Sequence, residues 1–269
     1  MYCDSLWFGS LEMKQPLVIK VGGALLESLD AQKQLFGTIE QLVSQNVSVV
    51  LIHGGGCLVD QWITDMGMVN DKLHGLRVTP KEQIDVVAGA LAGAANKKLV
   101  VCAKANKVNA VGISLCDGDL VKTTYMNPDL GQVGVCTEND STLIDVLFAN
   151  KLTPIISSIG DDGEGNLLNV NADQAAQVIA KLIKGKLILL SDVPGVLDGK
   201  KQLVDVLTSE HAKRLIADNV IAGGMLVKVE TAFETARSLN DSIVIASWKQ
   251  PADLLAFANG NSCGTLIKP

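Results

Sequence analysis

The stretch Val49-Val50-Leu51-Ile52-His53-Gly54-Gly55-Gly56 decides how this chain is read. An apolar run of buried-strand character passes into three glycines, and a helical pattern begins near residue 57. Without a Cβ, the backbone can turn sharply and let a charged ligand approach its N–H groups, while the N-terminus of the following helix adds partial positive charge. Glycines after a strand also serve as ordinary turn residues. The same form recurs in Val18-Ile19-Lys20-Val21-Gly22-Gly23, this time with a lysine, and the repetition points to phosphate chemistry.

Working outward, short Val/Ile/Leu runs near 17–21, 47–53, 109–115, 153–158, 186–191 and 242–246 alternate with helical patterns beginning near 29, 57, 80, 172, 209 and 225. This is the rhythm of an α/β fold, a three-layer αβα sandwich whose mainly parallel sheet is covered on both faces. Thr79-Pro80-Lys81-Glu82 reads as a capped helix start, and Asn171-Ala172-Asp173-Gln174 as another. Residues 66–76 and 116–136 are polar and turn-rich, which predicts hairpins overhanging a ligand site. Residues 1–16 read as a leader, because Met13-Lys14-Gln15-Pro16 resembles a second start. A lobe boundary is expected near Gly185, dividing the rest into 17–184 and 185–269.

At 269 residues and 48% hydrophobic, the chain can bury a substantial core. Its formal charge of -6 and its lack of a Lys/Arg run argue against nucleic-acid binding. No apolar run reaches the ~18 residues of a membrane span, so no membrane partner is expected. Six cysteines without a C-x-x-C pair and three scattered histidines form no zinc pattern, and a reducing cytoplasm suits them.

In open α/β sheets, ligands sit beyond the carboxyl ends of strands, where Gly22-Gly23, Gly54-Gly55-Gly56, Ser157-Ser158 and Asp192 all fall. Gly223-Gly224 opens a helical run containing Lys228 and could bring further N–H groups to the same crevice. There is no G-x-x-x-x-G-K-[ST] loop, and Val59 stands where a dinucleotide fingerprint needs its last glycine. His53-Gly54-Gly55-Gly56 matches an esterase oxyanion loop, but no G-x-S-x-G elbow accompanies it.

Taken in order, Lys20-Val21-Gly22-Gly23, His53-Gly54-Gly55-Gly56, Gly75-Leu76-Arg77-Val78-Thr79, Asn169-Val170-Asn171-Ala172-Asp173-Gln174, Ser191-Asp192-Val193-Pro194-Gly195-Val196 and Gly224-Met225-Leu226-Val227-Lys228 resemble the amino-acid kinase superfamily. Within it, the likeness is to the acetylglutamate kinase family. It extends from residue 16 to 267, with the Gly-Leu-Arg-Val-Thr and Asn-Val-Asn-Ala-Asp stretches the most specific.

That resemblance implies transfer of the ATP γ-phosphoryl group to the side-chain carboxylate of N-acetyl-L-glutamate, on the way to arginine. It implies that Lys20 and Lys228 act on the transferring group, that Gly23 and Gly55 donate N–H bonds to it, and that Asp173 orients both lysines. Arg77 would grip the substrate α-carboxylate with two prongs, helped by Asn169 and the Gly55-Gly56 backbone. Asp192, Val193, Pro194, Gly195, Val196 and Leu197, with Val220, Ile221, Ala222, Gly223, Gly224 and Met225, would line the ATP site. Mg2+ would be held through ATP phosphates and water, with no protein ligand. The segment 17–184 would bind acetylglutamate and dimerise, and 185–269 would bind ATP.

Competing expectations are a kinase of carbamate, aspartate or glutamate, which Arg77 disfavours, and a non-catalytic sensor of ATP or arginine. Lys20, Asp173 and Lys228 together disfavour the sensor. Arginine-sensitive members of the family carry a longer N-terminal helix that builds hexamers. Here the short segment before Leu17 leads to the expectation of a homodimer little inhibited by arginine.

Overall fold

The computed structural model describes residues 15–250 and 252–269, so the expected leader over residues 1–16 lies almost wholly outside the described residues. In chain order the strands are β1 (Leu17–Val21), β2 (Val49–His53), β3 (Lys72–Leu73), β4 (Leu76–Arg77), β5 (Ala110–Ser114), β6 (Val121–Tyr125) and β7 (Val133–Glu138). They continue with β8 (Thr153–Ser157), β9 (Ile159–Asp161), β10 (Leu167–Val170), β11 (Lys186–Ser191), β12 (Val206–Leu207), β13 (Ile243–Ser247) and β14 (Thr265–Ile267). One eight-stranded sheet runs β12-β14-β13-β11-β1-β2-β8-β5, and among the described residues only its β13/β14 pairing is antiparallel.

Side-chain alternation in these strands builds two cores. Val18, Val50, Ile52, Ile156 and Leu187 pack on one face against the helices Ala172–Leu182 and Gly223–Leu239. Leu17, Ile19, Leu51, Ile155 and Ile188 pack on the other against Leu29–Ser44 and Asn96–Ala105. Each fully buried Leu or Ile contributes about 1.5–3 kcal/mol, so a sheet apolar on both faces must be covered on both. The expected αβα layering follows.

The expected break near Gly185 falls between the helix Ala172–Leu182 and β11, yet the sheet crosses it without interruption. β1 pairs in parallel with β2 on one side and β11 on the other, from Leu17↔Lys186 to Val21↔Leu190. The predicted hairpins are present as β3/β4 and β6/β7, and the second of these joins a separate sheet, β6-β7-β10-β9.

Two local expectations need correction. Thr79 does not cap a helix: a 3-10 turn starts at Lys81 without a side-chain cap, and the wholly buried Thr79 hydroxyl instead meets Asn169. The long run Lys81–Ala105 is the one described helix that is apolar and long enough to cross a membrane, although half of its apolar window is buried inside the protein. Its middle, Gly89–Ala95, is π-helical. The wider turn is a local departure that proteins often keep near functional sites.

Candidate active site

Lys20 reaches its position by strand alternation. It shares a face of β1 with Val18, the face covered by the helix Ala172–Leu182, and Asp173 stands in that helix's first turn. Asn171 caps the helix, its Oδ1 accepting from the N–H groups of Asp173 at 2.8 Å and Gln174 at 3.3 Å. The result is a Lys20–Asp173 ion pair of 2.7 Å, with the lysine side chain 16% exposed.

Lys228 approaches the same crevice from the other half of the chain. Its helix begins at Gly223 with φ 55°, a left-handed conformation that favours glycine. Lys228 Nζ donates to Asp192 Oδ1 at 3.0 Å, so Asp173 does not hold both lysines as expected. Asp192 lies just past the carboxyl end of β11 and meets Lys228 first, while Asp173 is engaged by Lys20. The hydrogen bond from Lys228, with the Asp192 backbone and the Lys228 charge, holds the Asp192 carboxyl below the usual range.

Lys20, Gly22, Gly23, Asp173, Asp192 and Lys228 all line one cavity of about 320 Å³. Ser191, Thr231 and Trp248 line it too and were not expected. Ser191 ends β11 and Trp248 directly follows β13, so the strand-end rule applied to those strands would have found both. Of the residues expected at the nucleotide, Asp192 lines this cavity and Val193 to Leu197 do not. Val196 N–H donates to Thr265 Oγ1 at 2.8 Å, and Leu197 bridges to Leu203. Val220 to Ala222 lead into the Lys228 helix, with Ile221 buried, and Gly223 to Met225 form its first turn.

The glycine loop sits next door. Gly55 and Gly23 line a second cavity of about 360 Å³. The loop is packed closely on both sides: a Cβ on Gly54 would lie 3.3 Å from Ala172, and one on Gly55 would lie 2.9 Å from Leu91 in the π-helical segment. Gly56 opens the helix Gly56–Asp65.

Arg77, at the end of β4, is tied to that helix. Its Nη2 donates to Asp60 Oδ1 and, at 3.2 Å, to the Gly56 carbonyl, while Nη1 donates to Asn70 Oδ1. These partners take up the Nη2 hydrogens, so the guanidinium does not present the expected free two-pronged edge. Burial pushes the Asp60 carboxyl up, but hydrogen bonds from Asn70 and Arg77 and the charges of Arg77 and Lys72 outweigh it and leave the group below the usual range. Asn169 donates to Thr79 Oγ1 at 3.1 Å. Neither Arg77 nor Asn169 lines the lysine cavity. Among the described residues, no group of three His, Cys, Asp or Glu could hold a metal ion.

A largely parallel sheet whose strand ends gather two lysines, two carboxylates and the Gly22-Gly23 turn around one cavity, with a second glycine loop beside it, defines a class of phosphoryl-transfer protein. The sequence model of the Amino acid kinase family matches residues 15–247, and the chain belongs to that family. The acetylglutamate kinase of Aliivibrio fischeri (strain MJ11) is 48% identical over 257 residues, covering 95% of this chain and 99% of that protein. The acetylglutamate kinase of Colwellia psychrerythraea (strain 34H / ATCC BAA-681) is 48% identical over 255 residues, covering 95% and 97%. Such identity over nearly the whole of both chains places the chain with the acetylglutamate kinases. Among solved structures, smu.665 from Streptococcus mutans UA159 has a TM-score of 0.76 at 29% identity, covering 95% of this chain and 99% of that one. Carbamate kinase from Giardia lamblia bound to AMP-PNP, at 18% identity and a TM-score of 0.65 with 95% and 99% coverage, shares the fold.

Proposed function

We propose that this chain transfers the γ-phosphoryl group of ATP to the side-chain carboxylate of N-acetyl-L-glutamate, giving ADP and an acyl phosphate in arginine biosynthesis. The observation that carries this reading is the gathering of Lys20, Asp173 and Lys228 around one cavity beside the glycine loops. A carboxylate with pKa about 4.3 is ionised at neutral pH, so the acceptor needs no general base. The difficulty is repulsion between two anions, and fixed positive charge answers it.

In this reading Lys20 and Lys228 sit on the transferring group, and the Gly23 and Gly55 N–H groups bond its oxygens. Asp173 keeps Lys20 extended toward the cavity. Asp192 and the segments 193–197 and 220–225 form the ATP side, which belongs to residues 185–269. Arg77, Asn169 and the Gly55-Gly56 backbone form the acetylglutamate side, within 17–184. With both Nη2 hydrogens engaged, Arg77 would meet the substrate α-carboxylate through its charge and a single N–H. Mg2+ bound through ATP phosphates and water would neutralise part of the phosphate charge.

The family resemblance supports a homodimer and a cytoplasmic setting. The test of the reaction is ATP turnover with N-acetylglutamate, glutamate, aspartate and carbamate compared side by side, trapping the acyl phosphate with hydroxylamine. Turnover with acetylglutamate well above the other three is expected. Light scattering tests the dimer, and a hexamer would count against it.

A further inference from the structure

We propose that His53 is a positioning residue: it fixes the Gly54–Gly55 peptide plane so that the Gly55 N–H is presented to the transferring phosphoryl group. This rests on the phosphoryl-transfer reading above and names a part in it for a side chain so far without one.

His53 ends β2 and is wholly buried. By alternation it shares a face with Val49 and Leu51, opposite to the face of Lys20, and so meets the helix Asn96–Ala105. Its Nδ1 lies 2.7 Å from the Gly54 carbonyl oxygen, and its Nε2 lies 3.1 Å from Asn96 Nδ2. A carbonyl can only accept and an amide NH2 can only donate, so together the two contacts select one neutral tautomer, with the proton on Nδ1 and the lone pair on Nε2. Burial pulls the imidazole pKa down to about 4, which agrees with a ring that stays neutral.

Asn96 is wholly buried as well, and its Nδ2 also donates to the Ile155 carbonyl of β8 at 2.8 Å. The imidazole is therefore anchored to the sheet through Asn96. Its other nitrogen holds the first carbonyl of the glycine loop.

The consequence follows from peptide geometry. The Gly54 C=O and the Gly55 N–H belong to one peptide unit, and the described chain contains no cis peptide bond. In a trans unit the two groups point in opposite directions. Turning the Gly54 carbonyl toward the buried imidazole turns the Gly55 N–H away from it, and Gly55 itself lines a cavity with Gly23. Among the described residues, that N–H donates to no protein acceptor. A free glycine peptide could rotate; this one is held in advance, which makes a donor effective toward charge developing in a transition state.

Two substitutions separate positioning from simple packing. The amide nitrogen of asparagine falls near the place of Nδ1, and the amide oxygen of glutamine near the place of Nε2, where it can accept from Asn96 Nδ2. H53N therefore keeps a donor for the Gly54 carbonyl and loses the Asn96 contact, whereas H53Q does the reverse. The expected result is a kcat within a few-fold of the parent for H53N and a fall of roughly 10- to 100-fold for H53Q. KM for ATP and acetylglutamate should change little in either, and the two thermal midpoints should fall by similar amounts. Equal kcat losses, or losses that follow the thermal midpoints, would overturn the proposal.

A measurement on the unsubstituted chain covers the case in which the variants do not fold. With 15N-glycine labelling, the Gly55 amide proton should move downfield on adding ADP, aluminium fluoride and acetylglutamate. A stationary Gly55 resonance would overturn the proposal. Failure of the unsubstituted chain to phosphorylate acetylglutamate would defeat the underlying reading instead, so the two failures are distinguishable.

Discussion

Lys228 is paired with Asp192, its Nζ 3.0 Å from Oδ1, and not with the Asp173 carboxylate that holds Lys20. Each lysine of the crevice thus has its own carboxylate, one from each half of the chain. The two pairs differ in setting: the Lys20 side chain is 16% exposed, whereas that of Lys228 is 43% exposed. A half-exposed pair adds at most about 1 kcal/mol to stability, so Asp192 leaves Lys228 free to change partner at little cost.

Lys20→Ala and Lys228→Ala should each lower kcat by about 100-fold or more while changing KM for acetylglutamate only slightly. Their charge matters most where charge moves during transfer, and an interaction made there appears in kcat. Steady-state kinetics check this, and a loss confined to the Michaelis constants would remove both lysines from the transfer step.

Asp173→Asn should fold normally and lose turnover nearly as severely as Lys20→Ala. Asparagine keeps the size and one acceptor but removes the charge that holds Lys20 at 2.7 Å. Because the acceptor carboxylate is already ionised, raising the pH should not restore activity. A pH–rate profile of the variant decides the point: steep rescue at high pH would make Asp173 a base.

Arg77→Lys should raise KM for acetylglutamate about tenfold or more and leave that for ATP nearly unchanged, since an ammonium cannot serve Asp60, Asn70 and the Gly56 carbonyl together. Asp60→Asn should act in the same direction but more weakly. The folded pKa of Asp60 is depressed, so its stabilising contribution is present above the unfolded value of about 3.9 and lost as pH falls through the lower folded value. The stability difference between the parent and Asp60→Asn, followed by thermal melts, should therefore shrink only in strong acid.

Gly112→Ala should destabilise the chain by about 1–3 kcal/mol, because a Cβ there would overlap the Asn96 Oδ1 and approach Val100 at 2.8 Å. Moving Asn96 also withdraws the partner of His53 Nε2. Denaturant melts measure the cost, and an unchanged midpoint would show that Asn96 yields freely.

Much of this molecule is local in origin and was legible on that account. β1, β2, β5, β8, β11 and β13 stand close to where their apolar runs predict them, and Asn171 caps the helix its sequence marks. β9 and β10 were not legible, since three- and four-residue strands are too short to show a period and exist only through pairing with each other and with β7. Thr79 misled because its hydroxyl suits a cap equally well, and its buried contact with Asn169 comes from a residue far along the chain.

The site divides in the same way. Residue order alone determines that Lys20 is followed by glycines, that His53 opens a glycine loop, and that strand alternation sends neighbouring side chains to opposite faces. Only the tertiary structure decided which partners wait there: Asp173 on one side of the sheet, Asn96 on the other, and Asp192 rather than Asp173 for Lys228. Side-chain direction along a strand is set by bonds between adjacent residues, whereas an ion pair or a held peptide needs two distant segments brought within about 3 Å, and that proximity comes from the packing of β1, β2 and β11 beneath their helices.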